Sequence, residues 1–275
     1  MKIVCLCENT AYAPRFRAEH GLSLYIETNG YKLLFDTGQS DLFISNAERL
    51  GIRLDEVDFA VISHGHYDHG GGIRGFMKIN SNAKIYLSRH AFDLHYNADG
   101  KYIGLDRSLI CGERICFVDD AMNLSDNLGL YSCNGRPRVV DIDSAGLTVA
   151  KVTSNTVTEQ TAEPNIEKHP DDFSHEIYLR VYENGRSFLF SGCSHKGILN
   201  IVEWFRPDLL IGGFHFMKLS TSSDHDRLKS AAERLKQYDT VYYTCHCTGG
   251  EQYSLLATYM GNKLHYLASG QTLML

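Results

Sequence analysis

The stretch His64-Gly65-His66-Tyr67-Asp68-His69-Gly70-Gly71-Gly72, directly after the apolar run Val57 to Ser63, constrains this chain more than any other. Three histidines and a carboxylate fall within six residues, so one turn supplies four donors. Imidazole nitrogen and carboxylate oxygen suit zinc, manganese or iron, each bound at about 2.0 to 2.2 Å. On extended backbone His64 and His66 point the same way, while Asp68 and His69 are aimed elsewhere as the chain turns toward a helix. That divergence implies two metals side by side. A polar loop whose histidines merely meet water does not explain the spacing.

A chain of 275 residues can bury a sizeable core, and one domain is expected. The formal charge of −6, with no Lys/Arg run, argues against a nucleic-acid surface; a small anionic substrate remains compatible with metal ions. The opening MKIVCLCENT lacks the basic start and long apolar stretch of an export signal, and no segment approaches about 18 uninterrupted apolar residues. Eight cysteines lie mostly inside apolar segments, which fits a reducing cytoplasm better than a disulfide framework. Oligomeric state is not legible.

Taken in order, Lys2 to Cys7 reads as a strand. Leu22 to Glu27 and Tyr31 to Phe35 form a hairpin around Asn29-Gly30, the preferred two-residue turn. Asp36 then stands at a strand end, and Ser40 can cap a helix to about Leu50. Val57 to Ser63 is apolar enough for a strand buried on both faces, and Ala83 to Leu87 reads as another. The polar, tyrosine-rich region from His90 to Arg114 has no readable element. Strands are expected at Ile115 to Val118, Leu128 to Cys133 and Leu147 to Val152. Thr153 to Phe173 reads as a long loop of the kind that forms a lid or stays disordered. Beyond it, Ile177 to Val181 and Ser187 to Phe190 form a hairpin ending in Ser191-Gly192-Cys193-Ser194-His195. Helix and strand then alternate: Gly197 to Phe205, Leu209 to Ile211 before His215, Asp224 to Gln237, and Val241 to Thr244 before His246. A helix near Glu251 to Met260 and one strand over His265 to Leu275 close the chain. Strand C-terminal ends rim the site in α/β sheets, so His195, His215 and His246 are expected on one face.

These motifs resemble the metallo-β-lactamase superfamily, through His64-x-His66-x-Asp68-His69 after a buried strand, the strand end Phe35-Asp36-Thr37-Gly38, and the late His246. The resemblance covers nearly the whole chain and implies an α/β fold, a four-layer αββα sandwich. Glu19-His20-Gly21-Leu22-Ser23, the Gly192-Cys193-Ser194-His195 run, Gly212-Gly213-Phe214-His215 and Cys245-His246-Cys247-Thr248-Gly249 look like one branch. Its named activity is 7,8-dihydropterin-6-yl-methyl-4-(β-D-ribofuranosyl)aminobenzene 5'-phosphate synthase. The resemblance implies two divalent ions, zinc foremost, with manganese or iron as alternatives. His64 and His66 then bind the first, and Asp68, His69 and His246 the second. The first ion's third ligand stays open between His175, 18 residues ahead of Cys193, and His195. Cys193 stands where many relatives have a metal-bridging Asp, so it either binds as a thiolate or stands off and leaves the bridge to water. Asp36 reads as the acceptor for a ligand histidine's ring N–H.

Two ions about 3.5 to 4 Å apart acidify a shared water and polarise a carbonyl or phosphoryl oxygen. The leading expectation is therefore a hydrolase of a small phosphorylated or ester-like substrate, with Asp68 taking a proton and His20 or His215 protonating a leaving group or holding a phosphate. A transferase displacing pyrophosphate from a pterin is the alternative. A di-iron redox protein or a non-catalytic metal-binding protein ranks third.

Overall fold

The structure, a computed structural model, describes residues 1–151 and 167–275. Alternation of apolar residues along the strands builds three layers of core. Leu33 and Phe35 face inward between two sheets, against Leu179, Phe188 and Leu209 of the other sheet. Their neighbour Leu34 faces outward, where Phe43, Ala47, Ile73 and Phe76 of helices Leu42–Arg49 and Ile73–Ile79 cover it. On the far side Leu189, Leu210 and Tyr242 meet Ile198, Val202, Leu235 and Leu256 from helices Ile198–Phe205, His225–Lys236 and Gly250–Met260. The result is a four-layer αββα sandwich, as expected from period-two burial on sheets covered by helices.

The first sheet runs, in space, Thr272–Met274, Lys2–Cys7, Ser23–Thr28, Tyr31–Phe35, Phe59–Val61, Lys84–Ser88, Ile115–Val118. The second runs Leu264–Tyr266, Val241–Thr244, Leu209–Ile211, Arg186–Phe190, Tyr178–Glu183, Leu128–Tyr131, Ala121–Ser125. In each sheet four consecutive strands are parallel: Tyr31–Phe35 to Ile115–Val118 in the first, Arg186–Phe190 to Leu264–Tyr266 in the second. Parallel strands bring their C-terminal ends to one edge. Asp36, the His64 to His69 stretch, Cys193 to His195, His215 and His246 all follow such ends.

The Asn29-Gly30 turn is as read, with φ of 50° and 81°, and Asn184 and Gly185, at 52° and 74°, make a second turn of the same kind. Four expectations need correction. Ser63 leaves the strand, which spans Phe59–Val61, because its N–H donates to Asp36 Oδ1 at 2.7 Å instead of to a ladder partner. Ser40 is not the helix cap; its Oγ accepts from Leu42 N at 3.1 Å and donates to Glu19 Oε2, while Asp41 holds the cap position. His265 to Leu275 is two strands in different sheets, Leu264–Tyr266 and Thr272–Met274, with Gly270 at φ 89° between them. The unreadable region contains Leu94–Tyr96, which pairs with Thr148–Ala150 and through it with His169–Pro170 in a small third sheet. Val152 and most of the expected lid, from Thr153 onward, lie outside the described residues. No described helix is long and apolar enough to cross a membrane. All eight cysteines are unpaired, six of them buried.

Candidate metal centre

Asp36 lies at the root of the site. Wholly buried and held at φ 60°, its Oδ2 lies 2.7 Å from His69 Nδ1 and 2.8 Å from Ser63 Oγ, which in turn meets His64 Nδ1 at 2.9 Å. Acceptors at both Nδ1 atoms place the ring proton there, so in the neutral ring Nε2 of His64 and of His69 is the atom left to bind a metal. Asn9 Oδ1 does the same for His246, 2.9 Å from its Nδ1. Gly65 belongs between the two histidines because a Cβ there would lie 2.4 Å from Ala91 O and 2.8 Å from His95 Nε2.

Two sets of donors converge. In the first, His64, His66 and His195 present ligand atoms within 4.8 Å of one another. Among the described residues, Nε2 of His64, Nε2 of His66 and both ring nitrogens of His195 are buried with no hydrogen-bond partner. An orphaned buried polar atom costs about 1 to 3 kcal/mol, so this set fits a cation that would take up those lone pairs. Burial, then the neighbouring imidazoles, pushes the pKa of all three well down and keeps them neutral. The second set is Asp68, His69 and His246: His246 Nε2 is 3.2 Å from His69 Nε2 and 3.3 Å from Asp68 Oδ2, and His69 Nε2 is 3.8 Å from Asp68 Oδ2. Donors about 2.0 to 2.2 Å from a tetrahedral ion stand roughly this far apart. Burial opposes a charge on His69, yet Asp36 and Asp68 overcome it and hold its pKa up at about 9. Burial would likewise raise Asp68, but His69, His20 and His246 hold it well below the usual carboxylate range.

Cys193 sits between the sets. Its Sγ is 3.2 Å from His69 Nε2, and it also groups with His246 and Cys247 and with His195 and His215. Gly212 and Gly213 make this approach: a Cβ on Gly212 would meet Ser191 O at 1.9 Å, and one on Gly213 would meet Cys247 Sγ at 2.3 Å. Of the two candidates left open for the first ion, His195 lies with His64 and His66. His175 joins a neighbouring group: its Nδ1 accepts the Gly65 N–H at 2.8 Å, and its Nε2, 3.3 Å from Asp171 Oδ2 and without a hydrogen-bond partner among the described residues, lies with His66, His95 and Asp171.

His20 lies beside the second donor set and His215 beside the first. His20 Nε2 is 3.2 Å from Asp68 Oδ2 and its ring centroid 4.8 Å from that of His246; the Asp68 hydrogen bond raises its pKa, and its side chain is 41% exposed. His215, half-buried at φ 57°, has both ring nitrogens unpartnered among the described residues and its centroid 4.2 Å from that of His195.

Sequence reasoning passed over several supports. Glu176 is fully buried; Oε1 accepts His195 N–H at 2.8 Å and Oε2 accepts Lys196 N–H at 3.1 Å, fixing the loop after Arg186–Phe190. Phe173 stacks on His195 with centroids 4.4 Å apart and planes at 13°. Asp171 Oδ2 also lies 3.2 Å from His95 Nδ1. A buried acid next to His175 at a strand start is the signal that could have found Glu176; His95 and Asp171 carry none, being joined across 76 positions.

The sequence profile of the metallo-beta-lactamase superfamily matches residues 17–246. The chain belongs to that superfamily. The "Uncharacterized protein MJ0448" of Methanocaldococcus jannaschii is 29% identical over 252 residues, 90% of each chain. A second protein of that organism, "7,8-dihydropterin-6-methyl-4-(beta-D-ribofuranosyl)-aminobenzene-5'-phosphate synthase", is 28% identical over 278 residues, 90% of this chain and 88% of its own. Among solved metallo-beta-lactamase folds, Tm1679, described as a metal-dependent hydrolase of the beta-lactamase superfamily, superposes with a TM-score of 0.78 at 28% identity over 100% of this chain and 99% of its own. Zn(2+)-bound PqqB from Methylobacterium extorquens shares the fold at TM-score 0.54 and 11% identity, covering 100% of both.

Proposed function

We propose that this protein is a metal-dependent hydrolase that cleaves a small anionic phosphoester or ester-like substrate at two divalent ions, zinc foremost. The observation that carries the reading is the pair of convergent buried donor sets, His64/His66/His195 and Asp68/His69/His246, with Cys193 between them. The likeness to Tm1679 supports hydrolysis. Two such ions supply an acidified water and a Lewis acid for the scissile phosphoryl or carbonyl oxygen. The chain's own groups divide the remaining work. Asp36, Ser63 and Asn9 hold three imidazoles in the ligating tautomer. Asp68, kept ionised by its three histidines, takes a proton from the attacking water. His20, hydrogen-bonded to Asp68 and open to solvent, gives a proton to the leaving group, and His215 faces the substrate from beside the first donor set. The unpaired cysteines support a reducing cytoplasm as its place of work.

A second reading is a transferase that displaces pyrophosphate from a pterin while an aryl amine attacks, supported by the 28% identity to the synthase. Incubating zinc-, manganese- and iron-loaded protein with a phosphoester panel, and separately with pterin diphosphate plus ribosyl arylamine, decides between them. Phosphoester cleavage without coupled product is the result expected. Coupled product without cleavage overturns the hydrolase.

A further inference from the structure

Next to the first donor set, with His195 and His215 in its wall, the chain forms a half-open cavity of about 280 Å³. Its walls are apolar, with Ile198 and Leu199 from one helix, Phe214 from the loop before His215 and Ala231 from another helix. That volume is at the small end of ligand pockets, which run roughly 300 to 1,000 Å³, so it takes a group about one ring in size. Its polar lining is uneven. Arg227 is paired with Asp143 at 3.1 Å, whereas neither Lys218 nor half-buried Arg234 has a carboxylate within 4.0 Å among the described residues. Asp141 is the remaining acid of the lining among the described residues, so there three cations stand against two acids in a chain whose net charge is −6.

An apolar chamber that begins at two unpartnered imidazoles and carries two unpaired cations is shaped for one kind of guest. We propose that this cavity is a substrate subsite that receives an apolar group of one-ring size ending in a second anionic group, which Arg234 recognises with Lys218 beside it. Arg234 is on helix His225–Lys236, so its guanidinium is presented from a rigid element, and it acts on specificity, away from the reacting bond. This inference rests on reading the adjacent histidines as part of the metal centre. It adds that the substrate carries two charges, one at the metals and one at its far end.

Three phosphonates test it on the metal-loaded protein: benzylphosphonate, 4-carboxybenzylphosphonate and the neutral isostere 4-carbamoylbenzylphosphonate, each titrated calorimetrically. The carboxylate is expected to bind about 10-fold tighter than the carboxamide, the scale of one charge-assisted contact at a half-open site. In Arg234→Met that ratio falls to within about 2-fold while benzylphosphonate binding is unchanged; Arg227→Met, whose cation is already paired, keeps most of it. Equal affinity for the two isosteres, a ratio that survives Arg234→Met, or no binding of any probe overturns the subsite. Failure of the metal reading shows separately, as benzylphosphonate binding that a chelator leaves intact.

Discussion

Asp36 touches no substrate in this account, yet two ligating imidazoles depend on its carboxylate, one directly and one through Ser63. Asp36→Asn keeps the shape but presents an amide to His69 or Ser63. We expect a 10- to 100-fold weaker metal affinity by competition with a chromogenic chelator, the usual scale for such partners; unchanged affinity would show that the imidazoles orient themselves. The same residues set a pH signature in the metal-free protein. His64, His66 and His195 have folded pKa values below the unfolded value of about 6.5, so as pH falls the unfolded chain takes up protons first. Their stabilisation is present above about pH 6.5 and is lost below it, at up to about 1.4 kcal/mol per pH unit for each. His69, held up at about 9, acts in the opposite sense: its contribution is complete below about 6.5 and disappears as pH rises through 9. Urea unfolding of metal-free protein should therefore show greatest stability near pH 6.5, falling on both sides. A profile flat from pH 5 to 9 contradicts the burial of these imidazoles.

At the scale of elements, the site is made by the ends of parallel strands, tied across the layers where Ile177 N–H donates to Ser63 O at 2.7 Å. Glu176 belongs to this tie, since its carboxylate holds the backbone of His195 and Lys196 and accepts from Tyr178 OH at 2.5 Å. Glu176→Gln leaves at least one buried N–H facing another donor, so we expect a loss of about 1 to 3 kcal/mol in denaturant unfolding. One metal per chain should also be lost more easily than the other, read by stepwise chelation; equal loss of both would detach Glu176 from the His195 side. The legibility of the elements follows the range of their interactions. Asn29-Gly30 and Asn184-Gly185 declare their hairpins because the turn is local. Helices His225–Lys236 and Gly250–Met260 were readable within a residue or two from periodicity. Leu94–Tyr96 was not, since its ladder partner Thr148–Ala150 lies more than fifty positions away and its pattern is too short to show a period. The six-residue histidine cluster was legible as candidate metal chemistry, whereas the surroundings of His175 were not, since the Gly65 N–H that meets its Nδ1 comes from 110 positions away.

At the scale of the molecule, the two halves each contribute a four-stranded parallel block, and the candidate centre lies where both blocks end. An ion bound to donors from both sheets stabilises the folded chain and not the unfolded one. Adding saturating zinc at about 100 times its Kd should raise stability by about 2.7 kcal/mol per site. A melting temperature indifferent to chelation would place any metal away from this junction. The account stands or falls on the claim that two ions are held by two particular donor sets. Crystals of metal-loaded protein, measured at the absorption edge of the bound element, test it directly. The account predicts two anomalous peaks per chain, one coordinated by His64, His66 and His195 and one by Asp68, His69 and His246. A single peak, or a peak ligated by His175 with His195 standing free, would contradict it.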